Sequence, residues 1–136
     1  MQVLQPDFHF SAVCVRTEDY ASLEDLGHGM ARVIESLGEP VLLVASSDMT
    51  HYETAEDAAK QDRFAIDRML AVDPEGLYRV VIQRDISMCG FAPTVAVLIA
   101  CRDIGASSGE LIRYTNSGEA GGDYHRVVGY AGIAIA

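Results

Sequence analysis

Apolar and polar positions along the chain alternate between two rhythms. Phe8, Phe10, Ala12 and Cys14 recur at every second position, so Phe8–Val15 is expected as a strand. From Tyr20 to Leu37 the period lengthens: Leu23, Leu26, Met30, Val33, Ile34 and Leu37 make one helical face, with Gly38 and Pro40 to end it. Gly27 and Gly29 weaken the middle of that helix. Val41–Ala45 is apolar without interruption, the pattern of a central strand covered on both faces.

Helical spacing returns from Thr54 to Ala71, and again after Asp73-Pro74, a cap and a first-turn proline for a helix reaching Gln83. Phe91–Arg102 is apolar all round and is expected as a buried helix. Glu110–Thr115 and Val127–Ile135 read as strands, joined by a glycine-rich loop. Helices between strands define an α/β fold, here expected as a central mixed sheet flanked by helices and closed by a β-hairpin. No repeat or linker divides the 136 residues, so residues 1–136 are read as a single domain.

Composition narrows the function classes. With 49% hydrophobic and 22% charged residues the chain folds around a core rather than staying disordered. A formal net charge of −10 argues against nucleic acid and against an anionic membrane surface as partners. Cys14, Cys89 and Cys101 are widely spaced and odd in number, unlike a secreted disulfide framework, and no apolar run is long enough to span a bilayer. The chain is therefore expected in a reducing cytoplasm.

Two segments carry candidate chemistry. Ser46-Ser47-Asp48-Met49-Thr50-His51-Tyr52 follows the expected buried strand, where ligands of open α/β sheets bind. Asp48 and His51 are three apart, so a turn brings the carboxylate beside the imidazole and readies it for proton transfer. The plainer alternative makes Ser46 and Asp48 helix caps and His51 a surface residue. In Asp85-Ile86-Ser87-Met88-Cys89-Gly90, Pro93 belongs to the first turn of the following helix, which sets Cys89 at that helix's N-terminus. Unpaired N–H groups there suit a thiolate, a metal ligand or nucleophile, whereas the plainer alternative is a small buried cysteine. Cys14 and Cys101 read as packing residues, and His9, His28 and His125 as surface residues. The glycines of the last loop precede a strand, so they are not a phosphate-binding fingerprint.

Together these segments resemble the Memo-like family, often labelled AmmeMemoRadiSam system protein B. Ser46-Ser47-Asp48 through His51-Tyr52 resembles its SSD-x-x-H-[WY] motif, and Cys89-Gly90-Phe91-Ala92-Pro93 its CG-x-x-P element. Tyr114 to Gly118, Asp123 and Val127-Val128-Gly129-Tyr130-Ala131 resemble its Y-x-[TN]-S-G, D and VVGYA ending. The resemblance implies the fold of class III extradiol dioxygenases, non-haem iron enzymes that open catechol rings. It implies that Cys89 is a metal ligand, with iron or copper as the metal in the complete protein, and that Asp48 and His51 line the site with His51 as acid/base. It also implies two ligand histidines in an N-terminal half that this sequence does not include.

The chain is accordingly expected to be the C-terminal half of that fold, as a shortened chain, a split gene or a natural half-length protein. Dioxygenase-like or redox chemistry is then expected only with the other half supplied. The alternative is a non-catalytic module whose old cleft takes a peptide, a small molecule or a partner. Cysteine in place of the dioxygenases' carboxylate softens the site and puts ring opening in doubt. Three structural consequences are expected. Cys89 and His51 converge on one cleft; the chain alone holds little metal; and its uncovered apolar surface pairs with a copy of itself as a two-fold dimer.

Overall fold

The computed structural model describes residues 3–136 and arranges five helices and three strands as α1 (Tyr20–Leu37), β1 (His51–Glu53), α2 (Ala55–Leu70), α3 (Pro74–Arg84), α4 (Phe91–Asp103), β2 (Gly109–Asn116), α5 (Gly118–Gly121) and β3 (Val127–Ile135). Capping explains the helix starts. Asp19 accepts from the Ser22 N–H, Thr54 from the Asp57 N–H and Asp73 from the Gly76 N–H, and Pro74 opens α3. Gly38 ends α1 in the left-handed conformation, φ 65°, as its position suggests.

Helices α1 and α3 pack on α4. Leu98, Ile99 and Val95 of α4 are fully buried with Leu23 of α1 and Leu77 of α3. Gly27 weakens α1 for a reason that the packing makes plain. A Cβ there would lie 2.6 Å from Ile99 Cβ and 2.7 Å from the Ala96 carbonyl oxygen, so a bare backbone is what lets α1 reach α4.

The sheet has the order β1-β3-β2. β3 pairs antiparallel with β2 from Gly109↔Ile135 to Asn116↔Gly129, and with β1 at His51↔Val128 and Glu53↔Val127 across a register shift. One face of this sheet lies on α2, with Val127 at 0% exposure between them. The α/β class holds, and the closing hairpin forms between the strands read from sequence. The sheet is antiparallel among the described residues, not mixed, because neither of the two earlier expected strands joins it.

Those segments are the main correction. Phe8–Val15 and Val41–Ala45 form no ladder, and no backbone–backbone hydrogen bond ties either of them to another described segment. Phe10, Leu42 and Val44 are exposed by 74%, 74% and 60%. An apolar strand is stable only between neighbours that pair its N–H and C=O groups, and no described strand lies beside these. Between Val41–Ala45, α4 and the end of β3 runs a groove of about 710 Å³, lined by Leu42, Val44, Leu98, Cys101, Ile133 and Ile135 among others. Cys14, expected to pack, is exposed for the same reason.

Candidate metal centre

The segment after Val41–Ala45 is held amide by amide. The Asp48 N–H donates to Cys89 Sγ at 3.2 Å, Met49 to the Gly129 carbonyl at 2.9 Å, Thr50 to Asp62 Oδ1 at 2.8 Å and His51 to Ser87 Oγ at 2.8 Å. Four partners from three parts of the sequence thus fix four consecutive residues. Tyr52 follows with φ 66°, a left-handed turn unusual for a side chain of its size, at the register shift between β1 and β3.

Cys89 arrives from the other side. Gly90 caps α4 with its backbone, and its N–H donates to Ser47 Oγ at 2.8 Å. A side chain at Gly90 would collide with the Ser46 carbonyl and lie 2.6 Å from Ser47 Cβ, so the CG pair brings α4's N-terminus against the Ser46–Asp48 backbone. Cys89 stands immediately before that cap, exposed, with its sulfur in the path of the Asp48 amide. Pro93 lies in the first turn, where its missing N–H costs nothing.

The result is convergence. One ligand atom each from Asp48, His51 and Cys89 lies within 4.8 Å of the others. His51 Nε2 is 3.7 Å from Asp48 Oδ2, while its Nδ1 lies 2.7 Å from the Ser87 carbonyl oxygen. A carbonyl only accepts, so Nδ1 carries a proton and Nε2 is the nitrogen offered to the site. Donor atoms sharing one tetrahedral ion at ordinary bond lengths lie about 3.5 Å apart, and the three here lie within 4.8 Å of one another. Sulfur, imidazole and carboxylate together suit a borderline or soft divalent cation. The residues present fit part of a metal site, with further positions left for other ligands.

The three residues singled out from sequence are therefore neighbours, with Cys89 reaching the group from just before the start of α4, as expected. His9 and His125 are exposed and outside this group; His28 pairs with Asp103 at 2.5 Å between α1 and α4. Cys101 is half-buried in α4, and burial pushes its thiol pKa up. Sequence reasoning did not single out Ser87, Ser47 or Asp62 as parts of the site. Asp62 had a signal: it shares the stripe of Ala58, Ala65, Ile66 and Met69, where a carboxylate is out of place unless partnered.

Fold and site define an α/β protein with a cysteine–histidine–aspartate cluster at a helix N-terminus. The model of the Memo-like protein family matches residues 1–134, and the chain belongs to that family. It is 41% identical over 128 residues to a MEMO1 family protein of Methanopyrus kandleri, covering 94% of this chain and 45% of that protein. A MEMO1 family protein of Methanosarcina mazei is 39% identical over 129 residues, 95% of this chain and 48% of its own length. One from Methanocaldococcus jannaschii is 37% identical over 128 residues, 94% and 45% respectively. The chain thus spans just under half the length of these curated relatives. None of its described helices is long and apolar enough to cross a membrane.

Proposed function

We propose that this chain supplies the thiolate, imidazole and carboxylate of a divalent metal centre in a Memo-like protein, with iron or copper as the metal that the family resemblance implies. Cys89 is the anchoring ligand, and Asp48 and His51 line the metal. The observation that carries this reading is the convergence of the three ligand atoms within 4.8 Å of one another. A bound cation would supply Lewis-acid or redox chemistry at this point.

The chain's own residues prepare the rest. The Ser87 carbonyl fixes the His51 ring through Nδ1–H, so Nε2 is the nitrogen presented to the metal, on the side facing Asp48. The Asp48 N–H directed at Cys89 Sγ is the hydrogen bond that a thiolate accepts. Three ligands leave open positions, and the matched relatives are about twice this chain's length, which supports dioxygenase-type or redox chemistry only when further polypeptide completes the centre. The free state of all three cysteines supports a reducing compartment, the cytoplasm.

A second reading rests on the groove and the unpaired Val41–Ala45 backbone. On that reading the chain is a binding module whose apolar edge receives a strand, from a completing half or from a second copy. Cobalt(II) titration of the chain and of its Cys89→Ser, His51→Ala and Asp48→Asn forms separates the two. The metal reading expects weak uptake, with affinity lowered most by Cys89→Ser; uptake indifferent to all three substitutions overturns it.

A further inference from the structure

Asp62 lies in the middle of α2 and is fully buried, at 0% exposure. Its Oδ1 accepts from the Thr50 N–H at 2.8 Å and its Oδ2 from the Tyr114 hydroxyl at 2.7 Å. No ion pair among the described residues includes it. A carboxylate held by two neutral donors, with no cation, is an expensive thing to bury. Replacing it by an apolar side chain would ordinarily make a better core.

What the carboxylate holds explains its place. Thr50 sits between Asp48 and His51, and both sides of its peptide are engaged: its N–H by Asp62, its C=O by the Gly129 N–H at 2.9 Å. Its own hydroxyl is buried without a partner, so Thr50 is held by its backbone alone. Gly129 makes the room, because a Cβ there would land on Asp62 Oδ2. Tyr114 fixes the other oxygen from β2, and burial, followed by Asp62, pushes its phenol pKa up, keeping the donor protonated. Helix α2, strands β2 and β3 and the site segment therefore meet at one buried group.

We propose that Asp62 is a positioning residue for the metal centre: by fixing the Thr50 amide it sets where Asp48 and His51 stand relative to Cys89. This rests on the metal reading above and deepens it, since ligands gain affinity when the groups behind them are fixed. Asparagine preserves the Thr50 acceptor and offers its NH2 to the Tyr114 oxygen, whereas alanine leaves the Thr50 amide buried and unpaired.

The test compares Asp62→Ala, Asp62→Asn and Gly129→Ala, with Ile66→Ala as a core substitution on the same helix that removes no hydrogen bond to the site segment. Two readouts are taken on each folded protein: cobalt(II) affinity, and the metal-free chemical shifts of the Thr50 amide and the His51 ring. Asp62→Ala and Gly129→Ala are expected to weaken cobalt binding roughly tenfold or more, and to shift both signals. Asp62→Asn and Ile66→Ala are expected to stay within about twofold, whatever they do to the melting temperature. If Asp62→Ala does not fold, Gly129→Ala carries the comparison alone. Wild-type affinity and unshifted signals in the folded variants overturn the proposal, as does an equal loss in Ile66→Ala. If the unaltered chain binds no cobalt, the metal reading falls. The positioning role is then decided by the metal-free signals, which move if Asp62 sets the segment and stay if it does not.

Discussion

Helix α4 and the segment Val41–Ala45 are both apolar nearly end to end, yet they have opposite fates. Along α4, Val95, Leu98, Ile99 and Ala100 are almost wholly buried, while Val41, Leu42 and Val44 are exposed by 40%, 74% and 60%. The difference lies in the backbone. A helix satisfies its own N–H and C=O groups, so α4 forms wherever its surface is covered, and α1, with Gly27 flush against it, covers it. An extended segment needs a neighbour for every such group, and Val41–Ala45 has none among the described residues. Apolarity sets what wants burial; hydrogen-bond demand decides whether a chain provides that burial by itself.

The largest expected effect breaks the comparison directly. Ile99→Ala is expected to cost about 2–5 kcal/mol, whereas Leu42→Ala stays within about 0.5 kcal/mol; urea unfolding measures both. Equal losses would mean that Val41–Ala45 is buried in solution. Gly27→Val attacks the same packing from the α1 side and is expected to cost about 1–3 kcal/mol, because Ile99 and the Ala96 carbonyl stand where its branches must go. A charge sharpens the other half of the comparison. Val44→Lys is expected to leave the melting temperature nearly unchanged and to lower self-association, seen by sedimentation at micromolar concentration, since a lysine on an edge discourages pairing. Association undiminished by Val44→Lys would place any interface elsewhere.

The smallest effect is electrostatic. Tyr114 has its pKa raised from 10.0 in the folded chain, so folding favours the protonated phenol. That contribution is fully present below pH 10 and is lost as pH climbs above it, because there the folded state holds a proton that the unfolded state releases. Tyr114→Phe is expected to flatten this part of the alkaline stability profile, followed by urea midpoints from pH 9 upward. An unchanged slope would remove the Tyr114–Asp62 hydrogen bond from the account.

Elements governed by local rules were legible before the fold was known. α1, α2, α3 and α4 begin and end within about two residues of their sequence signals, because caps, Pro74 and Gly38 act over a single turn. β2 and β3 were legible as a hairpin because each is the other's neighbour. Phe8–Val15 and Val41–Ala45 carry strand patterns as clear as theirs, yet the pairing on which a strand depends is not written in its own residues. At the site, Asp48, His51 and Cys89 stood out by residue type and motif. Asp62 did not, because its partners are a backbone amide 12 positions away and a tyrosine 52 positions away. The four-residue turn of α5 was hidden in what reads as a glycine loop.

The central claim is that Asp48, His51 and Cys89 serve one metal ion. X-ray absorption at the cobalt edge, on the chain loaded with excess cobalt(II) and on its Cys89→Ser form, tests it most directly. The account predicts one sulfur at about 2.3 Å among nitrogen and oxygen ligands, with the sulfur shell absent from Cys89→Ser. A shell of nitrogen and oxygen alone in the unaltered chain, or a sulfur that survives the substitution, would contradict it.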